Sequence, residues 1–270
     1  MKVLLILAAL MLTPLSGPLA QPVSGYTFLD ESTRAMQDDE FENPGMVAVD
    51  RGSELFHEHR EAEEYRCSSC HGEDGADLDT KQIARYPVFN PNIGGLLTLQ
   101  ERINYCWEIS MDRFPLTAGH PDLIALETFV RNRAKGEKVN VQTDGDMAPL
   151  IARGEALYST RFGQLDMACR HCHVQHQGQM LRGQRLSQGQ ANGFPEYRLG
   201  RGRITSLHQR LSECFVSFRE EPFEAGSDEY KLLELYIMSR VNGLEIETCL
   251  LYTYPRPRDQ RTNIVFTNIH

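Results

Sequence analysis

The chain has 270 residues, a net charge of −9 and an apolar fraction of 41%, a composition typical of a globular protein with one large domain or two small ones. Binding to a nucleic acid backbone requires clustered lysine and arginine, so the overall acidity argues against a nucleic acid partner. The seven cysteines are an odd number, which a framework of paired disulfides cannot account for.

The first 20 residues have the pattern of a secretory signal peptide. Lys2 precedes an apolar run from Val3 to Leu12, and small residues and prolines lead to a predicted cleavage after Ala20. The run is too short to span a membrane, and no later segment has the apolar length of a membrane helix. We therefore expect an exported, soluble protein of a bacterial periplasm, with no membrane partner.

Two copies of the motif Cys-x-x-Cys-His follow, at residues 67–71 and 169–173. In this motif two thiols form thioethers with haem, and the adjacent histidine binds the iron as an axial ligand. A zinc site or a redox dithiol would not require a histidine directly after the second cysteine in both copies. We predict two covalently bound c-type haems, attached through Cys67, Cys70, Cys169 and Cys172 and ligated by His71 and His173.

The sequence ahead of the two motifs is duplicated. The pattern Arg-Gly-x-x-Leu-aromatic occurs twice at an offset of 102, which is also the offset between the motifs: Arg51, Gly52, Leu55 and Phe56 match Arg153, Gly154, Leu157 and Tyr158. This pattern suits a first helix that packs an aromatic ring near the haem.

A second duplicated segment follows each motif. At an offset of 107, Leu126, Glu127, Phe129, Val130, Arg133 and Gly136 match Leu233, Glu234, Tyr236, Ile237, Arg240 and Gly243. The apolar residues recur at helical spacing, and the glycine is placed to end the helix. Each half therefore predicts a helix, the haem motif, a long loop and a closing helix, an order that resembles the class I cytochrome c fold.

We accordingly predict an all-α fold with two tandem class I cytochrome c-like domains. The first domain covers residues 46–140 and the second covers residues 141–248. An N-terminal extension at residues 21–45 precedes them, and a C-terminal tail at residues 249–270 follows.

Each iron needs a second axial ligand beside its histidine. The second half has no methionine between Met180 and Met238, but Cys214 lies there and matches Cys106 at an offset of 108. The duplication therefore favours a thiolate at both irons, which predicts low reduction potentials. Several alternatives stay open: Met111 or His120 in place of Cys106, His208 in place of Cys214, or two structural thiols or a disulfide.

An arginine-rich segment surrounds the second of these cysteines. Residues 182–219 contain seven arginines and only two glutamates, in a protein that is acidic overall. Such a patch concentrates small dianions, although haem propionates would pair with some of the arginines. Arg210 precedes Cys214 by one helical turn, which would place its guanidinium beside the sulfur if this segment is helical.

Residues 45–248 resemble a known family, most specifically in the second half. The matching residues are Gly178-Gln-Met-Leu-Arg-Gly183, Leu186-Ser187, Gly193-Phe-Pro195, Tyr197-Arg198 and Arg210-x-x-x-Cys214. They are similar to the A subunit of the SoxAX cytochromes, the L-cysteine S-thiosulfotransferases of bacterial sulfur oxidation. The first haem motif places the chain with the diheme members.

The resemblance implies an enzyme that oxidatively joins thiosulfate to a cysteine of a SoxYZ-type sulfur carrier and passes two electrons to haem. It implies a heterodimer with a SoxX-type monohaem cytochrome c and a small soluble cytochrome c as electron acceptor. It further implies that Cys214 is an iron ligand and the active-site sulfur, a persulfide in the family. Arg210 would hold thiosulfate, and Cys106 would ligate a remote first haem.

The chain departs from the family pattern after Thr248, so we expect Cys249 to be neither ligand nor catalyst. Two other functions are alternatives to the one that the resemblance implies. A diheme cytochrome that only transfers electrons has no need of Arg210, and a diheme peroxidase needs a haem with an open or switchable coordination site. Neither function explains why a cysteine recurs in both halves or why its second copy lies in an arginine-rich segment.

Overall fold

Helices make up most of the regular structure in the computed structural model, which describes residues 21–59, 65–181 and 184–252. The predicted signal peptide and most of the predicted tail lie outside these residues. The α-helices are α1 (Glu31–Asp38), α2 (Met46–His57), α3 (Cys67–His71), α4 (Thr80–Ile83), α5 (Leu99–Ile109), α6 (Pro121–Arg133), α7 (Met147–Ser159), α8 (Leu207–Ser217) and α9 (Asp228–Ser239). Short 3-10 helices cover Gly25–Phe28 and Glu73–Gly75, and a π-helix covers His171–Gln175.

Each half is built on its first helix packed against its closing helix, α2 on α6 and α7 on α9. A glycine at the same repeat position permits the close approach in both pairs. A Cβ atom on Gly52 would lie 2.2 Å from the carbonyl oxygen of Ala125, and one on Gly154 would lie 2.2 Å from that of Leu232. The predicted helical repeat is therefore confirmed, and the glycines of the duplicated pattern are explained by backbone contact.

The segments expected to be long loops each contain a further helix, α5 in the first half and α8 in the second. Both begin with a capping box: Thr98 accepts a hydrogen bond from the backbone of Glu101, and Ser206 accepts one from the backbone of Gln209. A reciprocal side-chain bond completes each box and stabilises the first helical turn. Because of these caps, Cys106 and Cys214 lie on equivalent helices rather than in loops.

The strands are short and form three small sheets. They are β1 (Val88–Asn90), β2 (Gly95–Leu97), β3 (Met180–Leu181), β4 (Gln184–Arg185), β5 (Glu196–Arg198), β6 (Arg203–Thr205) and β7 (Leu251–Tyr252). β1 pairs with β2 and β3 with β4, both antiparallel, while β5 pairs antiparallel with β6 and parallel with β7.

The start of the predicted C-terminal tail differs from the expectation. Residues 249–252 are packed into the second half, where Cys249 and Leu251 are fully buried and β7 pairs with β5. The amide of Asn43 donates a hydrogen bond to the carbonyl oxygen of Cys249 at 3.2 Å. Burial raises the pKa of the Cys249 thiol to about 12, so this thiol stays protonated near neutral pH.

One continuous core joins the two halves. Across their interface Lys231 donates to Glu101 at 3.2 Å, and the side chain of Gln209 donates to the carbonyl oxygen of Gly119 at 3.2 Å. The N-terminal extension is tied to the second half, since Ser24 donates to Glu247 at 2.6 Å. Within the described parts of the chain, no helix has the length and apolarity needed to cross a bilayer.

Candidate functional site

The second haem motif opens onto a cavity of about 880 Å³, within the size range of small-molecule and cofactor sites. Its lining includes the predicted attachment residues Cys169 and Cys172 and the predicted axial ligand His173. Arg210 and Cys214 line the same cavity from α8. The structure therefore brings together the residues that the sequence placed at the second haem.

The orientation of His173 suits iron binding. Its Nδ1 lies 3.0 Å from the backbone oxygen of Ser187; a carbonyl oxygen only accepts, so Nδ1 donates and Nε2 is left free for a metal. Burial lowers the pKa of His173 to about 4, which favours the neutral, ligating form. Gly189 lies so close that a Cβ atom there would be 2.9 Å from Cγ of His173. These observations fit a haem held at this motif.

Arg210 is a largely buried cation on the same helix as Cys214. Its side chain is 22% exposed, and its Nη1 lies 3.6 Å from Oε2 of Glu213. Burial lowers the pKa of Arg210, but Cys214, Tyr252, Glu196 and Glu213, which carry negative charge when they are ionised, outweigh this and raise the pKa overall. A permanently charged guanidinium beside a sulfur inside a cavity is the arrangement that could bind a small sulfur anion.

His208, the alternative ligand, is not among the residues that line the cavity of the second haem motif. Its Nδ1 accepts a hydrogen bond from the backbone of Gly226 at 3.1 Å, and its Nε2 faces Oε2 of Glu234 at 2.9 Å. Nδ1 is thus hydrogen-bonded, and Nε2 lies next to a carboxylate although it makes no hydrogen bond. This leaves Cys214 as the better candidate for the sixth ligand in the second half.

The first half brings its haem motif close to both rival ligands. Sγ of Cys67 lies 4.0 Å from Sδ of Met111, which is 5% exposed, and Cys106 is near enough to Cys67 to affect the pKa of its thiol. His120 instead caps α6, because its Nδ1 accepts a hydrogen bond from the backbone of Asp122. Met111 and Cys106 therefore both stay candidates at the first motif.

The arginine one helical turn before the cysteine has different surroundings in the two halves. Arg102 occupies the repeat position of Arg210, but it is exposed, with its guanidinium 5.4 Å from the centre of the Tyr105 ring. All seven cysteines have free sulfurs, so the alternative of a Cys106–Cys214 disulfide is not observed. The largely buried cation thus distinguishes the second half.

The arginine-rich segment is partly neutralised by its own glutamates. Arg198 contacts Glu196 at 3.1 Å, and Glu213 lies within 3.6 Å of Arg198 and Arg210 and 3.0 Å from Arg201. The two glutamates of the segment, which the expected excess of positive charge already includes, therefore lie next to Arg198, Arg201 and Arg210. Arg182, which belongs to the predicted patch, lies outside the described residues.

Comparisons with known proteins decide the family. Residues 51–139 and 153–246 match the family model of the SoxA/TsdA cytochrome c domain, one match in each half. The chain belongs to this family. The predicted resemblance and the prediction of two tandem cytochrome c domains are confirmed, and cytochrome c domains carry covalently bound haem c.

Curated relatives of the same family cover most of the chain. The L-cysteine S-thiosulfotransferase subunit SoxA of Paracoccus pantotrophus is 37% identical over 227 residues, which are 83% of this chain and 77% of the relative. The subunit of the same name from Rhodovulum sulfidophilum is 37% identical, with 83% of this chain and 78% of the relative covered. The crystal structure of SoxXA from P. pantotrophus superimposes with a TM-score of 0.81 and 35% identity, covering 86% of this chain and 87% of that one.

Sequence reasoning missed two side chains that surround Arg210. Arg198 was noted only as part of the family resemblance, and its contacts with Glu196 and Glu213 depend on the β5 strand. Tyr252 lies in the predicted tail, where no motif or repeat indicates a functional residue. In the structure it lines the cavity. The pairing of β5 with β7, which joins distant segments, places both residues there.

Proposed function

We propose that this chain is the SoxA subunit of an L-cysteine S-thiosulfotransferase, with Cys214 as its active-site sulfur and Arg210 as the cation that binds thiosulfate. The observation that supports this most strongly is that both residues line the cavity of the second haem motif. The enzyme joins thiosulfate to a cysteine of a SoxYZ-type sulfur carrier. It functions as a heterodimer with a SoxX-type monohaem cytochrome c.

The reaction forms one sulfur–sulfur bond. A carrier thiol and thiosulfate give a cysteine S-thiosulfonate, one proton and two electrons, and no bond within thiosulfate breaks. When bound, haem supplies a one-electron acceptor, from which electrons pass to a small soluble cytochrome c. The oxidative joining and the transfer to the carrier take place at the sulfur of Cys214, which the family carries as a persulfide.

The residues of the chain contribute binding and charge. Arg210 offsets the repulsion between thiosulfate and an anionic sulfur on Cys214, and its planar fork can contact two oxygens at once. His173, oriented by its hydrogen bond to the backbone oxygen of Ser187, would hold the haem iron. Cys214 would hold the iron as well and would supply the nucleophile.

The first motif is also complete, and we propose that it binds a second haem, with His71 and Cys106 as its axial ligands. The exposed position of Arg102 supports a first haem that is remote from thiosulfate binding. The signal-peptide pattern of residues 1–20 supports export to the periplasm.

The proposal is tested with matched variants at the two repeat positions, in the complex with its partner cytochrome. Cys214→Met should keep the haem, because attachment uses Cys169 and Cys172, but should abolish thiosulfate-dependent reduction of cytochrome c in the presence of carrier. Cys106→Met, its counterpart, should keep turnover. Equal turnover in parental protein and Cys214→Met would reject the assigned sulfur.

Arg210 is tested in the same assay. Arg210→Ala should lose about 2–3 kcal/mol of transition-state stabilisation, roughly 30- to 150-fold in kcat/KM, as for a charged hydrogen-bond partner in a desolvated site. Arg210→Lys should restore part of this, because a point charge cannot reproduce the guanidinium fork. Arg102→Ala is the control and should stay near the parental value; an equal loss in both alanine variants contradicts the assignment.

A further inference from the structure

The strand β7 lies beyond the family match, which ends at residue 246. It pairs in parallel with β5, with Tyr197 opposite Leu251 and Arg198 opposite Tyr252. The backbone of Tyr197 donates to the oxygen of Leu250 at 2.9 Å, and that of Leu199 donates to the oxygen of Tyr252 at 3.1 Å. Because residues opposite each other in a sheet point to the same face, this register places the Tyr252 ring beside the Arg198 side chain.

The ring of Tyr252 contacts two guanidinium groups. The central carbon of Arg198 lies 4.2 Å from the ring centre, and that of Arg210 lies 5.5 Å from it. Both distances are within the range of a cation–π interaction, in which the negative face of the ring attracts the cation. Tyr252 therefore links the β5–β7 pair to the arginine next to Cys214.

An aromatic ring and a carboxylate can both bind a guanidinium, but they affect its attraction for an anion differently. Glu213 also lies 3.6 Å from both Arg198 and Arg210, but its negative charge cancels part of the field that attracts an anion. An aromatic face attracts the guanidinium without adding a net charge, and it leaves the N–H groups at the guanidinium edge free to donate. Burial raises the pKa of the Tyr252 hydroxyl, so the ring is uncharged near neutral pH.

We infer that Tyr252 is a positioning residue of the thiosulfate site, whose ring holds the Arg210 guanidinium beside Cys214 and away from full pairing with Glu213. This inference rests on the proposed function. It gives the segment after Thr248, which lies beyond the match to the family model, a role in substrate binding. Tyr252 acts through Arg210 and touches no reacting atom itself.

The variants at residue 252 distinguish the effect of the aromatic face from the effects of side-chain volume and of the hydroxyl group. Steady-state kinetics are measured on the haem-loaded complex with its partner cytochrome, with thiosulfate varied at saturating carrier. Tyr252→Phe keeps the ring and should leave KM for thiosulfate within about twofold of parental. Tyr252→Leu keeps an apolar side chain but loses the ring face, and it should raise this KM by about tenfold, a typical effect of a partly desolvated cation–π contact, with a smaller change in kcat.

Tyr197→Leu is the matched control, because it lies on the same strand pair but alternates to the other face. It should leave KM unchanged. The inference is overturned if Tyr252→Leu matches the parental KM, if Tyr252→Phe is impaired as much as Tyr252→Leu, or if Tyr197→Leu raises KM equally. A parental complex that forms no S-thiosulfonate overturns the proposed function and this role together, whereas an active parental complex with an unaffected Tyr252→Leu variant overturns the role alone.

Discussion

At the scale of single residues, Gly189 decides how closely the chain can approach the histidine of the second haem motif. Gly189 has a φ of +73°, and a Cβ atom there would lie 2.9 Å from Cγ of His173 and 3.1 Å from the hydroxyl of Tyr158. Gly178 has a similar φ of +78°, but a Cβ atom there would meet nothing within 4 Å. The two positions share the backbone conformation and differ in what surrounds them.

This difference makes a prediction for alanine at each position. Both Gly189→Ala and Gly178→Ala should lose about 1–2 kcal/mol of unfolding free energy from the left-handed backbone alone. Gly189→Ala should lose more and should also change the visible and electron paramagnetic resonance spectra of the second haem, because it displaces the His173 ring. Identical spectra and stability for the two variants would show that Gly189 does not constrain His173.

At the scale of elements, the helix crossings of the two halves depend on Gly52 and Gly154. Alanine at residue 154 would place its Cβ atom 2.2 Å from the carbonyl oxygen of Leu232 and 2.8 Å from Cβ of Tyr236. Backbone cannot move aside as easily as a flexible side chain, so α7 and α9 would have to separate.

We predict that Gly154→Ala destabilises the protein by about 2–4 kcal/mol, as expected for overpacking against backbone in a core. Denaturant unfolding of the haem-loaded protein measures this. Ala152→Ser, at an exposed position of the same helix, should change stability by less than about 0.5 kcal/mol. A Gly154→Ala variant as stable as Ala152→Ser would mean that the helices do not cross as closely as described.

The sequence predicted the elements whose signal is local or repeated. The haem motifs, the helices around Gly52 and Gly154 and the placing of Arg210 one turn before Cys214 follow from short patterns that occur in both halves. The helices α5 and α8 lie in segments that the sequence predicts as long loops, and their capping boxes are the local signal that indicates a helix start. Tyr252 could not be predicted, because its position depends on pairing between β5 and β7, more than 50 residues apart in sequence.

At the scale of the whole molecule, equivalent residues of the two halves meet at their interface. Gln100 donates to Glu127 at 2.7 Å in the first half, and His208 faces Glu234 at 2.9 Å at the equivalent position of the second. The pKa of Glu127 is raised to about 7, mainly by burial and to a smaller extent by Glu234, while Gln100, Arg131 and His208 act in the opposite direction. The interface thus carries a carboxyl group that titrates near neutral pH.

Glu127 should make stability depend on pH. Its pKa is higher in the folded state than the usual 4.5, so the folded state binds the proton more tightly and stability falls as pH rises from about 4.5 through 7. Glu127→Gln should therefore be more stable than the parental protein at pH 8, by on the order of 1–2 kcal/mol, and should lose this advantage near pH 4.5. Denaturant unfolding at both pH values measures the difference.

The exposed Glu108 supplies the control for this titration. Glu108→Gln makes the same chemical change at an exposed position and should alter stability by less than about 0.5 kcal/mol. A Glu127→Gln variant whose stability relative to the parental protein is the same at pH 8 and pH 4.5 would contradict the raised pKa.

The central claim is that Cys214, in the cavity of the second haem motif, conjugates thiosulfate to a carrier cysteine. It is tested most directly by the intact mass of the carrier after incubation with the heterodimer, thiosulfate and oxidised cytochrome c. We predict a carrier heavier by one thiosulfate group, removable by a thiol reductant, with the parental protein and Cys106→Met but not with Cys214→Met. Reduction of cytochrome c with no gain in carrier mass, or the same gain with Cys214→Met at the parental rate, would contradict the claim.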